Sequence, residues 1–357
     1  MEENIDFGKI FNAAEKNLGR ANIIVTGKTG VGKSTLINAV FQEPLAEVGE
    51  GRPVTDGIKE YTKDGFPVSL IDTMGLELNN YKTIVSALKD EIKRRNGADP
   101  QTHIHLCWYC IANTSKRIED CEVEFIKELS ESVKVVVILT RCIDDDLNFY
   151  NYIKKELYNY ICSQPVRVLA MPYSTPIGII PSFGLDKLVS LTEELLPDAQ
   201  KRAFAAAQKV NLELKKKKAH KIVGSAATAA AAAGAVPIPF SDAAVLAPIQ
   251  VGMIASISFT FGLAFDKAFL STLVASAAGV VGASYAGRAI VSGLLKLIPV
   301  VGSITGGVIS AATAAALTTV LGETYIKSIC ILFEEGETIT AANLSATWVT
   351  TIKSSKF

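Results

Sequence analysis

Gly27-Lys28-Thr29-Gly30-Val31-Gly32-Lys33-Ser34-Thr35 decides how the first half of this chain is read. The stretch satisfies G-x-x-x-x-G-K-[ST] and sits between an apolar segment, Asn22-Ile23-Ile24-Val25, and a helical run, Leu36-Ile37-Asn38-Ala39-Val40. Strand, glycine loop and helix in that order are the context the motif requires. A glycine-rich turn lets successive backbone N–H groups close on phosphate oxygens, and the helix start adds the positive end of its dipole. Every residue from Gly27 to Thr35 is therefore expected to bind nucleotide. Lys33 would neutralise the β and γ phosphates, and the Ser34 hydroxyl would sit on Mg²⁺.

A second element stands downstream, where the apolar run Val68-Ser69-Leu70-Ile71 ends in Asp72-Thr73-Met74-Gly75. A strand of this kind delivers Asp72 toward the metal and Gly75 toward the γ-phosphate. Between the two elements, Gly51-Arg52-Pro53-Val54-Thr55-Asp56 reads as a turn-rich stretch. Its threonine can reach Mg²⁺ when a γ-phosphate is present, which is how a switch loop becomes ordered. Thr55 is the expected ligand and Thr62 the rival. Lys33, Thr55 and Gly75 are thus the residues expected to act on the γ-phosphate, with Ser34, Thr55 and Asp72 on the metal.

Around these elements, residues from about 21 to 198 alternate short apolar runs with charged amphipathic stretches. That pattern predicts buried parallel strands separated by crossover helices, an α/β fold. Expected strands are Ala21 to Thr26, Val68 to Ile71, His105 to Ile111, Val133 to Leu139 and Val166 to Met171. Tyr81 to Arg95 and Glu119 to Ser130 are expected helices. Phe7, Ile10, Phe11, Ala14 and Leu18 fall at helical spacing and predict an amphipathic lead-in helix over residues 1–20. At 357 residues the chain has room for two domains. Lys plus Arg balances Asp plus Glu at 36 each, which gives no push toward nucleic acid. The acidic start, MEENIDFGKIF, does not read as a secretory signal, and six scattered cysteines fit reduced thiols, so a cytoplasmic location is expected.

GKTGVGKST, GRPVTDG and DTMG in this order resemble the Era/septin-like branch of the translation-factor class of GTPases. The loop spelling is also similar to that of immunity-related GTPases, and His105 to Ile111 with its charged helix resembles septin-like G domains. The resemblance implies GTP and GDP as ligands, Mg²⁺ as cofactor, and hydrolysis of GTP to GDP and phosphate. It places the guanine-reading loop after Val135-Val136-Val137-Ile138-Leu139, where the family has Asn or Thr, Lys, any residue, then Asp. This chain has Thr140-Arg141-Cys142-Ile143-Asp144, with arginine for lysine and the aspartate one residue late. Arg141 can lie along a purine face, and Asp144 can accept from the guanine N1 and N2 donors if the loop bulges. By the same resemblance Tyr173-Ser174-Thr175 is the last nucleotide loop, with Ser174 reading the base side. Leu76 stands where Ras-type GTPases carry the glutamine that orients water, and Gly30 where a potassium-using branch carries asparagine. The implied turnover is slow, assisted by a homodimer across the nucleotide face or by another partner.

Other constellations carry less. His103, His105, Cys107 and Cys110 suggest zinc, but a buried strand explains the run. Asp144-Asp145-Asp146 lacks the spaced ligands of a calcium loop. Glu119, Glu122 and Glu124 are expected on an exposed helix face.

After Pro197 the chain changes character. Between Lys221 and Glu323 the only charged residues are Asp242, Asp266, Lys267, Arg288 and Lys296. The expected divisions are a G domain over 21–198, a basic linker helix over 199–218, an Ala/Gly-rich helical domain over 219–335 and a tail over 336–357. Helix breaks are expected at Pro237-Ile238-Pro239, Pro248 and Pro299. The uncharged runs Ala243 to Phe265 and Leu297 to Gly322 are long enough to span a bilayer. Their small residues serve a membrane bundle or a tightly packed soluble one equally well. The run Lys215-Lys216-Lys217-Lys218 fits either anionic lipid heads or a solvated helix end. This half resembles an uncharacterised helical domain often fused to Era-like GTPases in bacterial membrane-associated proteins, which implies membrane lipid as a partner. Three readings of function follow: a regulatory or remodelling GTPase, a GTP-binding scaffold, and a nucleotide-gated membrane-perturbing module.

Overall fold

The computed structural model describes residues 19–41, 50–55, 58–62, 67–73, 81–176, 178–234, 242–263, 311–335 and 339–354, those at 50–55, 73, 199, 242–245 and 247 by their backbone alone. Residues 1–18 of the expected lead-in helix, Gly75, Leu76 and the expected proline breaks at 237–239 and 299 lie outside them. Residues Leu18 to Leu212 make one compact unit and those from Glu213 onward belong to a second.

The first unit is an α/β sandwich. Its strands are β1 (Ala21–Thr26), β2 (Glu50–Thr55), β3 (Ile58–Thr62), β4 (Val68–Thr73), β5 (Leu106–Ala112), β6 (Val135–Thr140) and β7 (Val166–Arg167), in the sheet order β2-β3-β4-β1-β5-β6-β7. From β4 to β7 every neighbouring pair is parallel, while β3 runs antiparallel to both β2 and β4. All of β1 and β6 is buried, as a strand covered by helices on both faces must be.

One face carries α2 (Tyr81–Asn96), α3 (Asp120–Ser130) and α4 (Asn148–Glu156). Their Val85, Leu88, Phe125, Ile126 and Ile153 pack with Ile24, Ile71, Tyr109 and Val137 of the sheet. The opposite side includes α1 (Lys33–Val40), α5 (Leu185–Leu195) and α6 (Asp198–Ala207). There Trp108 on β5 meets Phe41 and Phe204 with ring centroids 6.0 and 6.4 Å apart, and its indole N–H donates to Thr192 Oγ1 at 3.1 Å.

Several expectations change. Gly51 to Thr55, read as turn, forms most of strand β2. Extended backbone suits its Pro because β2 is an edge strand, where a missing N–H costs little. Beyond Arg167 the expected last strand continues only as an isolated bridge from Leu169 to Phe183. Tyr173-Ser174-Thr175 is not a loop but strand β8 (Tyr173–Thr175), paired with β9 (Gly178–Ile180) in a separate hairpin. The expected linker helix over 199–218 is two elements. Its first part is α6, whose Ala203–Ala207 run is buried in the first unit, and its second part begins α7 (Leu212–Gly234).

The second unit also contains α8 (Asp242–Phe261), α9 (Ala311–Glu334) and α10 (Ala341–Ser354). Pro248 lies inside α8 rather than ending a helix. The expected tail contains α10, whose Trp348 is 1% exposed. The Trp348 indole N–H donates to Thr324 Oγ1 at 3.0 Å, and its ring meets Tyr325 with centroids 4.9 Å apart. Further buried polar pairs join helices: Ser258 with Tyr325 at 2.7 Å, and Ser328 donating to Thr351 at 3.1 Å. Gly322 sits where a Cβ would meet Val223 of α7 and Met253 of α8, so the small residue is what lets these helices close. Among the described residues one helix, α9, is long and apolar enough to cross a membrane, and 61% of its apolar window is buried inside the protein.

Lys215, expected at lipid heads or in water, is 2% exposed. It shares a face with Ala219, Val223 and Ala230, which puts it on the packed stripe of α7. Its Nζ donates to the Phe261 carbonyl at 3.0 Å, at the end of α8. There Gly262, at φ +74°, and Leu263 close a Schellman turn onto Phe259 and Ser258. Burial pulls the Lys215 pKa down to about 7 from 10.5. Between those values the unfolded chain binds the extra proton, so the unit gains stability as pH rises from 7 toward 10.5. Lys215→Met should remove that slope: in thermal melts the variant should be the more stable protein at pH 6, by a margin that closes toward pH 10.

Candidate functional site: a phosphate loop at the strand ends

The parallel strands β1, β4, β5, β6 and β7 all end on one edge of the sheet, and the expected site residues follow from those ends. Gly27 to Gly32 links β1 to α1. Gly27 has φ +134°, and a Cβ on it would collide with the Cys110 carbonyl of β5, so no other residue fits there. Val31 is buried, and its carbonyl accepts from the Thr140 hydroxyl at 2.5 Å; that hydroxyl also lies 3.2 Å from the Ile111 carbonyl. Thr140 therefore joins loop, β5 and β6.

Gly32, at φ +101°, is the N-cap of α1, with no side chain capping the helix and no acidic residue in the first turn. The first-turn N–H groups are thus left to an anion, with the dipole behind them. Thr29, Gly30, Ser34 and Thr35 are exposed, as ligand contact requires. Lys33 Nζ donates to the Gly27 carbonyl at 2.9 Å and the Lys28 carbonyl at 3.1 Å. Among the described residues it is held over the loop by carbonyls and pairs with no carboxylate.

Asp72 follows Ile71 at the end of β4 and lies beside β1, paired with Val25. Its Oδ1 is buried and has no hydrogen-bond partner among the described residues. Burial raises its pKa to about 6, against the opposing charges of Lys33 and Lys59. A buried, unpaired carboxylate oxygen near a lysine is the donor a hard cation takes, so Ser34 and Asp72 fit Mg²⁺. Thr55 ends β2, which runs parallel to β4, and its backbone position pairs with Ile58, itself opposite Thr73. Thr55 therefore stands at the phosphate edge. Thr62 stands at the other edge, opposite Glu50, and is excluded as the rival ligand. Gly75 lies outside the described residues.

The loop expected to read the base turns sharply after β6. Arg141 adopts φ +52°, and its Nε approaches the position that a Cβ on Gly32 would occupy, at 3.7 Å. Cys142 then turns inward, its N–H donating to the Val168 carbonyl at 3.2 Å. Asp144 emerges half-exposed, its carboxylate 3.0 Å from Lys116 Nζ and its Oδ1 accepting from the Asp146 N–H at 3.2 Å. The Lys116 pair holds its pKa below the usual carboxylate range. Arg167 donates to the Asp144 carbonyl from β7. Ser174 is exposed on β8, in the hairpin rather than on a loop leaving the sheet.

Sequence reasoning missed two participants. Glu122, expected on an exposed face, is 4% exposed, and with Glu119 it pairs with Lys28 of the loop. Lys116 pairs with Asp144. The capping-box spacing Glu119-x-x-Glu122 was the available signal for the first.

A glycine loop fixed against β5, a free helix start, a waiting lysine and a metal-type aspartate define a P-loop nucleotide-binding protein. Residues 22–141 match the family model described as 50S ribosome-binding GTPase, and residues 198–347 match the Domain of unknown function (DUF697). The two matches fit a P-loop GTPase domain fused to a helical domain. It is similar to Septin-9 of Rattus norvegicus, 28% identical over 173 residues covering 41% of this chain and 31% of the relative. It is similar also to Septin-9 of Homo sapiens, 30% identical over 146 residues and covering 34% and 25%, and to Neuronal-specific septin-3 of Rattus norvegicus, 28% identical over 166 residues and covering 38% and 46%. The chain spans less than half the length of these relatives. Among solved structures it matches the probable GTP-binding protein engB at 18% identity and TM-score 0.36, over 49% of this chain and 98% of that one.

Two outcomes test the loop. Lys33→Ala and Ser34→Asn should each abolish Mg²⁺-dependent binding of labelled GTP while leaving the thermal melt unchanged; undiminished binding by either would remove the assignment. Gly27→Ala should displace the loop from β5 and lose nucleotide binding together with stability, read in the same two assays.

Proposed function

We propose that the first unit binds GTP and GDP with Mg²⁺, hydrolyses GTP slowly, and passes its nucleotide state to the helical unit. The observation that carries the reading is the uncapped start of α1 beside Lys33 and the unpaired oxygen of Asp72. In this reading Gly27 to Thr35 surround the phosphates, and Lys33 leaves the two loop carbonyls for the β and γ phosphates. Ser34, Thr55 and Asp72 hold the metal, which supplies charge neutralisation at the phosphates. Gly75 contacts the γ-phosphate. Asp144 accepts from the guanine N1 and N2 donors, Arg141 lies along the purine and Ser174 closes the base side. ATP should therefore fail to displace bound GDP at concentrations where GTP displaces it fully, and Asp144→Asn should narrow that difference.

Leu76 cannot hydrogen-bond an attacking water, so the catalytic apparatus is completed from outside the chain, by a second copy across the nucleotide face or by a partner. Turnover by the dilute protein should be on the order of 10⁻³ per second or less, as for an unassisted small GTPase. It should rise with protein concentration or added liposomes; a fast rate independent of both would show a complete single-chain enzyme.

The helical unit is proposed to dock on membrane lipid from the cytoplasmic side. Its support is a sequence with five charged residues between Lys221 and Glu323, and α9 with its apolar length. The balanced charge of the chain favours lipid and protein partners over nucleic acid. Full-length protein should co-sediment with liposomes; retention in the supernatant would make the helical unit a soluble bundle, consistent with its buried Lys215.

A further inference from the structure

Lys28 is the second residue of the phosphate loop, and its side chain is committed to α3. Its Nζ lies 2.6 Å from Glu119 Oε1 and 3.0 Å from Glu122 Oε2. Those carboxylates are themselves fixed. Glu119 and Glu122 form the capping box of α3, each side chain accepting from the other's backbone N–H. The fully buried Tyr109 of β5 donates its hydroxyl to Glu122 Oε1 at 3.3 Å. One buried carboxylate thus gathers β5, α3 and the loop.

The backbone of Lys28 faces a second task. Its carbonyl accepts from the Val31 N–H at 3.4 Å and from Lys33 Nζ at 3.1 Å. The residue tied by its side chain to α3 is therefore the one whose carbonyl closes the loop and holds the phosphate-binding lysine. Removing the Lys28 cation would leave Glu122 buried without its charge partner, a costly state that the loop or α3 relieves by moving.

We propose that Lys28 is a positioning residue: its ion pairs with Glu119 and Glu122 hold the loop in its phosphate-receiving shape before nucleotide arrives. Less ordering then remains to be done on binding. The inference rests on the reading of Gly27 to Thr35 as the phosphate loop. It assigns the Lys28 side chain to α3 and leaves the phosphate contacts of that residue to its backbone.

The test is the dissociation constant of a fluorescent GDP with Mg²⁺ on the full chain, for wild type, Lys28→Met, Lys28→Arg, Glu119→Gln and the control Lys89→Ala. Lys89 pairs with Glu131 at 2.9 Å, away from the loop. Each variant is also melted. Lys28→Met should bind about tenfold more weakly, between what an exposed and a buried ion pair contribute. Lys28→Arg should restore binding to within about twofold, and Lys89→Ala should bind as wild type, since exposed pairs contribute little. The loss should be equal for GDP and GTP and leave the guanine-to-adenine ratio unchanged, because the brace acts on the phosphate side. Wild-type affinity in a folded Lys28→Met, or equal losses in Lys28→Met and Lys28→Arg, would overturn the proposal. If Lys28→Met does not fold, Glu119→Gln decides: a weakened affinity with a wild-type melt supports the brace, and wild-type affinity overturns it. Failure of the wild type itself to bind any nucleotide would remove both the brace and the phosphate-loop reading.

Discussion

The approach of Gly27 to the Cys110 carbonyl is the contact on which the site depends. It can form only without a side chain, and it lays the loop across β5 instead of letting it rise from the end of β1. From there Val31 can reach the Thr140 hydroxyl of β6, and Gly32 can turn into α1 with no side chain among the described residues capping its first N–H groups. Three fixed points, on β5, β6 and α3, surround a loop of six residues from Gly27 to Gly32. A loop held so firmly presents its donors to phosphate with little entropy left to lose.

The electrostatics of the site follow from the same geometry. Lys33 is held by carbonyls and Lys28 by carboxylates, so the two lysines of one loop divide the work of binding and bracing. Asp72 Oδ1 is buried and has no hydrogen-bond partner among the described residues, and burial makes the ionised form costly until a cation arrives. The second unit solves a different problem. With few charges available, its helices are joined by hydroxyl and indole hydrogen bonds, and its buried Lys215 donates to the Phe261 carbonyl at the end of α8.

Much of this was legible in the residues. The loop motif, its flanking strand and helix, and Asp72 follow from local chemistry, since backbone N–H donors and a strand-end carboxylate are needed at fixed spacing. The one-residue delay of Asp144 was legible, but the left-handed turn at Arg141 was not. What was not legible depends on contacts distant in sequence. Gly51 to Thr55 carries turn residues yet pairs as an edge strand, because pairing with β3 outweighs weak local preference. Ser174 looked like loop because a three-residue hairpin strand has too short a period to declare itself. Glu122 and Lys215 looked solvated because a charge signals water until its partner is known. The partners stand 94 residues apart in one case and 46 in the other. The 199–218 segment divided for the same reason: its Phe204 meets Trp108 and Phe41, which composition alone could not show.

The most direct measurement is a crystal structure of the full chain with GDP and Mg²⁺. Lys33 Nζ should have left the Gly27 and Lys28 carbonyls for the β-phosphate, with the N–H groups that start α1 on the same phosphate and the metal between it and Ser34. Lys28 should still be paired with Glu119 and Glu122. Nucleotide bound elsewhere, with Lys33 still on the loop carbonyls, would contradict the account.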